Sequence, residues 1–586
     1  MIDQPAGHPR NEAGKRLRIL MVVPSHYDRE GYLLHWRIPF APLHVLAVMR
    51  GIMDDAADRE VLGPGVKIET RSLNEVVADI RPEEQIAWLK DSDRALFMLV
   101  GIQTTKAPRA VDLGKTFIAA GIPTIAGGFH IGGCLSMVPD WEPGLGALKA
   151  AGISLFAGEF EETVDEVLTD FWNGELKPLY NQLNQIVDLE KAPMADIHTK
   201  HEARALQSVA GLEVGRGCPF TCSFCTIIHV HGRKMRQRDI GRLKDHLIEL
   251  HGKGITELFV VDDNFARCPK WPEFFEALTD LRENRGIPFQ VFLQVDIQSY
   301  RNPGFVEAAT RAGVNRIFIG IESINATNLT GAAKPMNANL DNMAKSILTW
   351  KRAGVMIIGS YIVGFPDDTE ESILQDMTVL RERLALDIFE VCKMTLMPGS
   401  EDHKQAVAKG IAINPDFNLY DSGHQTFSHP RMSSEEWDRV YKTAIDGFYT
   451  NAHMEKVFKR ALVGGVSVKH VLTMAAVVKG SYTYHEMHPV MSGFLRRRRR
   501  LERCAPYPLQ SPLRFHAGNI LRGGRNMILY TWLYGRLTTA LAKAWLSITL
   551  KGSYTDAALE PTATLPSQGG RAHPSTAEPQ TKEAAE

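Results

Sequence analysis

The chain has 586 residues, of which 44% are hydrophobic and 23% charged, and its formal net charge is -1. That length exceeds one typical core and predicts two or three domains, and the balanced charge excludes a polyanion-binding bias of the chain as a whole. Seven cysteines, three of them clustered, make no disulfide framework and fit a reducing cytoplasm. No apolar h-region follows the N-terminus and no long uninterrupted apolar run predicts a membrane span.

Residues 1–16 are polar with Pro and Gly and predict a disordered leader. The first ordered block is 17–185. "LRILMVVP" (17–24) and "ALFMLVGIQ" (95–103) read as buried strands, and the more alternating "VKIETRSLN" (66–74) as a strand nearer the edge. "AVDLGKTFIAAG" (110–121) reads as a helix closed by Gly121, and "IPTIAGG" (122–128) and "ISLFAGE" (153–159) as further strands. Strands alternating with helices predict an α/β fold, here a doubly wound parallel sheet. Ligands of such sheets bind at the carboxyl ends of the strands. Those ends are "QTTKA" (103–107), "GGFHIGG" (127–133) and "GEFEET" (158–163), whose glycines and small polar residues let a flat ligand approach the backbone.

A second block, 205–400, offers strands at 212–217, 257–263, 289–295, 316–322, 355–364 and 388–396, with helical stretches such as 242–254 and 340–354 between them. Six strand–helix units predict a partial barrel of the TIM type, with its active site at the strand C-termini. Residues 401–490 predict a helical extension, where Ser433 or Ser434 with the acids after it caps an amphipathic helix. The segment 491–555 is basic. From Phe494 to Lys551 there are twelve Arg or Lys against one acid, Glu502, and the arginine run "LRRRRRLER" (495–503) precedes a stretch rich in Trp, Tyr and Leu. Such a pairing suits a helix in a membrane interface, its cations on lipid phosphates. The alternative is a helix packed on the barrel with its Arg run solvated. RNA binding is weaker, because no recognised RNA-binding module accompanies the run. Residues 556–586 predict a disordered tail.

The second block opens with "GRGCPFTCSFCT" (215–226), which places Cys218, Cys222 and Cys225 on the loop after its first strand. Structural zinc, with His229 or His231 as a fourth ligand, is one reading. A single tight triplet, however, does not clamp two segments together as zinc sites usually do. A 4Fe-4S cluster on three thiolates explains more, since it leaves one iron free for a substrate or cofactor.

The C-x3-C-x2-C spacing, with Phe224 just before the last cysteine, resembles the signature of radical S-adenosylmethionine (SAM) enzymes, over roughly 210–400. The resemblance implies that the free iron chelates the methionine part of SAM and that one electron then releases a 5′-deoxyadenosyl radical. It also implies SAM contacts residue by residue. Asp262, Asp263 and Asn264 of "VVDDN" stand where the family has a Gly-Gly-Glu-like motif, from which this sequence departs. Glu322 and Ser323 of "GIES" and Gly364 of "VGFPDDT" follow, and "LMPGSEDH" (396–403) ends the sixth strand. Taken singly, Asp262 and Asp263 could cap the next helix, and 364–366 could be only a turn.

"IAGGFH" (125–130) followed by "GEFEET" (158–163) resembles the cobalamin-binding domain fused to one group of radical enzymes. This resemblance implies cobalamin contacts from Gln103, Thr104, Thr105, Gly127, Gly128, His130, Gly158 and Glu159. The Asp-x-His-x-x-Gly motif is absent, so His130 is not expected to ligate cobalt. The group includes the anaerobic magnesium-protoporphyrin ester cyclase and cobalamin-dependent radical methyltransferases. Radical methylthiotransferases of tRNA carry three cysteines in their N-terminal domain, where this chain has only Cys134. The expected protein is thus a cytoplasmic enzyme using a 4Fe-4S cluster, SAM and cobalamin. Its partners would be a small-molecule or lipid-like substrate, a reductant such as flavodoxin or ferredoxin, and a membrane surface contacted peripherally, with nucleic acid disfavoured. Methylation of an unactivated carbon is the favoured reaction. The alternatives are an oxidative cyclase, or a non-catalytic Fe-S redox or sensing protein. No catalytic side chain is assigned.

Overall fold

The computed structural model describes residues 14–40, 43–197 and 209–560. Most of the expected leader and tail lies outside the described residues. The N-terminal part supplies β1 (Lys15–Val23), β2 (His35–Pro39), β3 (Val66–Asn74), β4 (Arg94–Leu99), β5 (Thr124–Gly127), β6 (Ser154–Ala157) and β7 (Leu179–Asn181). All but β2 form one parallel sheet in the order β3-β1-β4-β5-β6-β7. β1 shows why the sheet is doubly wound. Its Leu17, Ile19, Met21 and Val23 point into one core, with the helices Val45–Asp58 and Val164–Asn173. Its Leu20 and Val22 point into a second core, with the helices Ala107–Ala119 and Glu142–Ala150. The unbroken apolar run from Ile19 to Val23 is what burial on both faces requires. β3 lies at the sheet edge, as its alternating pattern predicts. The strand begins inside the expected leader, since Lys15 and Arg16 pair with Val66 and Lys67.

The second part supplies β8 (Val209–Leu212), β9 (Gly215–Arg216), β10 (Arg236–Gln237), β11 (Glu257–Val260), β12 (Gln290–Val295), β13 (Val314–Glu322), β14 (Met356–Val363) and β15 (Ile388–Lys393). Six of these form a parallel sheet in sequence order from β8 to β15, while β9 and β10 pair with each other as a short antiparallel ribbon. One large core lies between this sheet and its helices. An open barrel leaves an edge strand with unpaired backbone groups. At β15 two tyrosines take them up: the Tyr449 hydroxyl bonds the N–H (3.1 Å) and carbonyl (2.8 Å) of Phe389, and that of Tyr482 bonds those of Val391 (3.0 Å each).

Helices Ser434–Phe448, Asn451–Val463, Val468–Gly480 and Pro512–Lys551 complete the chain. Ser433 and Glu436 form the reciprocal cap of the first. The start of the arginine run lies in β16 (Gly493–Arg497), antiparallel to β2, and four of its guanidinium groups pair with acids of the same chain. Arg496 and Arg498 pair with Asp28, Arg497 and Arg499 with Asp79, and Arg498 also with Glu30 at 2.6 Å. At the other end the chain is still docked at Asp556, inside the expected tail, which pairs with buried Arg460 at 2.8 Å.

Candidate active site

The three cysteines follow β9 on a loop at the carboxyl end of the barrel sheet. Cys222 is buried and Cys218 and Cys225 are half-buried; none is in a disulfide. Two turns set the spacing. The Cys218 N–H donates to the Gly232 carbonyl (3.3 Å), closing the loop end to end, and the Cys225 N–H donates to the Cys222 carbonyl (3.1 Å). Gly217, at φ +100°, leads into the first cysteine where a Cβ would meet the Lys234 carbonyl oxygen at 2.5 Å, so only glycine fits.

Asp262 and Asp263, at the end of β11, brace this loop. Asp262 accepts from the Val214 N–H (2.8 Å), and its second oxygen has no hydrogen-bond partner. Burial pushes its carboxyl well above the usual range. Asp263 accepts from the Gly217 N–H (3.0 Å) and meets His231 Nδ1 at 3.2 Å, so one carboxylate ties both ends of the loop. Neither caps the short helix that follows. Asn264 donates to Asp296 (3.0 Å), which also takes both guanidinium arms of Arg267 (2.7 Å each). Arg267 in turn lies 5.5 Å from the centre of the Phe220 ring, inside the cysteine loop.

On the opposite side, Glu322 ends β13 in the left-handed region (φ 65°) and pairs with Lys334 Nζ at 2.5 Å. Lys334 lies 5.9 Å from the centre of the Phe224 ring. Burial opposes its charge, but Glu322 and the nearby Cys222 hold its pKa above the usual value. Ser323 is fully buried, and its hydroxyl accepts from the Asn325 N–H (3.0 Å). Gly364, at φ +107°, packs so tightly on Trp437 that a Cβ would lie 2.3 Å from the ring. Asp368 holds this turn by accepting from the Gly364 and Phe365 N–H groups (2.9 Å each), and burial pushes its carboxyl up to about 6. Phe365 meets Phe224 edge-on at 6.1 Å. The ends of β9, β11, β13 and β14 thus converge on the cysteine loop.

The carboxyl end of the first sheet faces the same loop. The Phe129 and His231 rings meet at 4.9 Å, and Gly133 and Gly399 pack with no room for a side chain on either. Glu159 pairs with Arg236 at 2.5 Å, and Glu161 with Arg216, two residues before Cys218. His130 is buried, with Nε2 on the Gly144 carbonyl (2.9 Å) and Nδ1 3.3 Å from Thr104 Oγ1; both nitrogens are engaged. Gly128 and Gly158 are packed against neighbouring backbone, of Ile102 and of Gln182, with no room for a Cβ on either. Gly127 lies against Phe156. Gln103 is exposed, and the buried Thr105 hydroxyl has no partner. Lys334, Asp296, Arg267 and Arg236 carry no motif, and sequence reasoning missed them, as it missed the role of Arg216 within the cysteine motif.

Among the described residues, no group of three or more His, Cys, Asp or Glu side chains is arranged to hold a single metal ion. A cubane makes a different demand, because its three thiolates bind three separate corners. The cysteine loop suits it: three thiols on one loop, with the cation of Lys334 near Cys222. Burial pushes the Cys225 thiol up to about 12, and binding iron requires the loss of that proton.

Residues 212–380 match the family model of the radical SAM superfamily. The chain is 25% identical over 416 residues to the bacteriochlorophyllide d C-8(2)-methyltransferase of Chlorobaculum tepidum, covering 67% of this chain and 88% of that one. It is 24% identical to the anaerobic magnesium-protoporphyrin IX monomethyl ester cyclase of Synechocystis, covering 38% of this chain and 43% of that one. The structure of the cobalamin-dependent S-adenosylmethionine radical enzyme OxsB, with aqua-cobalamin bound, superposes with a TM-score of 0.54 at 13% identity, over 94% of this chain and 83% of that one. With the cysteine loop at the mouth of a six-stranded partial barrel and a doubly wound sheet set against it, the chain is an enzyme that carries a radical SAM domain at residues 212–380, and its fold is that of a cobalamin-dependent radical enzyme.

Proposed function

We propose that this enzyme methylates an unactivated carbon of an apolar, lipid-like small molecule, using a 4Fe-4S cluster, SAM and cobalamin. The observation that carries the reading is the facing of two carboxyl ends, one bearing the three thiols and the other the loops 103–105 and 127–130. The methyltransferase named among the relatives supports the reaction type. When bound, the cofactors supply the radical and the methyl group, and the protein supplies position and exclusion of water.

In this reading Cys218, Cys222 and Cys225 hold the cluster. Asp263 fixes the ends of their loop, while Lys334, held by Glu322, keeps a positive charge beside it. Phe224, Ser323 and the Gly364 turn border the SAM site, and Asp262 and Asn264 each keep one buried oxygen without a partner there. Gln103 and Thr105 hold cobalamin, and His130 ligates no cobalt because both its nitrogens are engaged. A one-electron reductant such as flavodoxin or ferredoxin feeds the cluster, and the enzyme works at a membrane surface, where such a substrate resides.

The test is turnover with methyl-deuterated SAM on a lipid extract. The expected outcome is a product carrying the labelled methyl, with 5′-deoxyadenosine and S-adenosylhomocysteine both released. The similarity to the porphyrin cyclase favours one competing reaction, oxidation or ring closure. An unlabelled product without S-adenosylhomocysteine would establish that reaction instead.

A further inference from the structure

The helix Pro512–Lys551 has forty residues and no acid. One stripe of it, Leu533, Leu537, Ala540 and Ala544, is buried within the main core, and the helix packs against Asn451–Val463 and Val468–Gly480. Its N-terminal turn docks through Phe515 on Tyr32, with ring centroids 5.4 Å apart. The outer half is uncovered. Ile520, Ile528, Trp532, Trp545, Leu546 and Leu550 are each more than half exposed. Arg514, Arg525, Arg536 and Lys543 are spaced by eleven, eleven and seven residues, close to whole numbers of turns, so they run down one flank of that face.

We propose that this face docks on a bilayer containing anionic phospholipid, with the helix lying in the plane of the interface. Charge selects the occupant. A cationic flank with no acid on the helix matches a negative lipid surface. The same pattern opposes pairing with a second copy, because two such faces would bring like charges together with no acid to offset them. Exposed Trp532 and Trp545 supply the amphipathic rings that settle at headgroup depth. No helix among the described residues is long and apolar enough to cross a membrane, so the helix lies on the bilayer rather than through it. In the arginine run that the sequence offers for this role, Arg496 to Arg499 are already paired with Asp28, Glu30 and Asp79.

Docking also gives the substrate a route, and this part rests on the proposed function. A cavity of about 1730 Å³ borders the helix at Leu521, Met527 and Tyr530. It reaches Lys393 at the carboxyl end of β15 and His26 just past β1. An amphiphile leaving the bilayer enters it beside the helix, without crossing bulk water.

The experiment is flotation of the full-length protein with two kinds of vesicle. One is pure phosphatidylcholine, and the other contains about one-third phosphatidylglycerol. The wild type should bind the anionic vesicles and weaken as salt rises. Ile528→Glu/Leu546→Glu and Arg525→Glu/Lys543→Glu should each bind at least about tenfold less. These positions are exposed, and circular dichroism checks that the variants fold. No vesicle binding by the wild type, or equal binding by all three proteins, would overturn the proposal. So would a wild-type dimer that Ile528→Glu/Leu546→Glu turns into monomer, because the face would then be an interface between copies. Reconstituted protein in solution should release 5′-deoxyadenosine with or without these substitutions. Failed docking with intact release removes the docking alone, and docking without release removes the proposed function alone.

Discussion

The cysteine loop and the arginine strand are both clusters of a single residue type, and the fold treats them in opposite ways. The loop keeps three thiols together, buried or half-buried, with no disulfide among them. The strand hands its guanidinium groups to Asp28, Glu30 and Asp79, more than 400 residues away in sequence. A reactive run kept unpaired inside a fold is held for a ligand. A charged run paired with carboxylates of the same chain is an internal fastening, however strongly it suggests an external partner when read as sequence.

The sharpest way to break the comparison is to remove the thiols one at a time. Cys218→Ala, Cys222→Ala and Cys225→Ala should each abolish the oxygen-sensitive iron chromophore. Alanine at Cys134, Cys268, Cys392 or Cys504 should leave it. Iron and sulfide analysis of the seven variants checks this, and full cluster content in any of the first three contradicts it.

The fastening should fail in a different way. Asp28→Asn leaves Arg496 and Arg498 part-buried without their shared carboxylate, an expected loss of about 3 kcal/mol of stability. Cluster content should survive at a temperature where the variant is folded. Denaturant unfolding measures the first effect and iron analysis the second.

Lys334→Met sharpens the ligand side. Removing a cation beside the cluster should lower its reduction potential by on the order of 60 mV, tenfold in a one-electron equilibrium. Cluster content should not change. A redox titration decides, and an unaltered potential would place Lys334 in a purely structural pairing with Glu322.

The smallest effect is a pH dependence. Burial raises the Asp28 carboxyl, but Arg496 and Arg498 outweigh it and hold its pKa below the ordinary value of 3.8. Its contribution to stability is therefore present above that value and is lost as pH falls through the lower folded value. Fluorescence of Trp36, which pairs with Arg496 across β2 and β16, should report the strand loosening below about pH 4 in the wild type. Asp28→Asn should remove that step.

Local chemistry was legible in the sequence and distant pairing was not. The apolar run of β1, the spacing of the cysteines and the capping box at Ser433 are each contained within about a dozen residues. Each forms as the sequence predicts, because neighbours in the chain suffice to cause it. The arginine strand was misread because its partners precede it by most of the chain, and nothing in "LRRRRRLER" names Asp28 or Asp79. Lys334 and Asp296 escaped for the same reason: what matters is where the fold delivers them, Asp296 just past β12 and Lys334 just after the helix Ala326–Gly331, not what surrounds them in sequence. The alternative reading of Asp262 and Asp263 as helix caps fails because Asp262 takes the Val214 N–H between β8 and β9 and Asp263 takes the Gly217 N–H at the start of the cysteine loop.

The most direct test of the account is release of 5′-deoxyadenosine by anaerobically reconstituted protein given SAM and a low-potential reductant, with no substrate added. The account predicts release from the wild type and none from Cys222→Ala. A wild type that carries its full cluster and still leaves SAM intact would contradict it and make the chain an iron–sulfur redox or sensing protein.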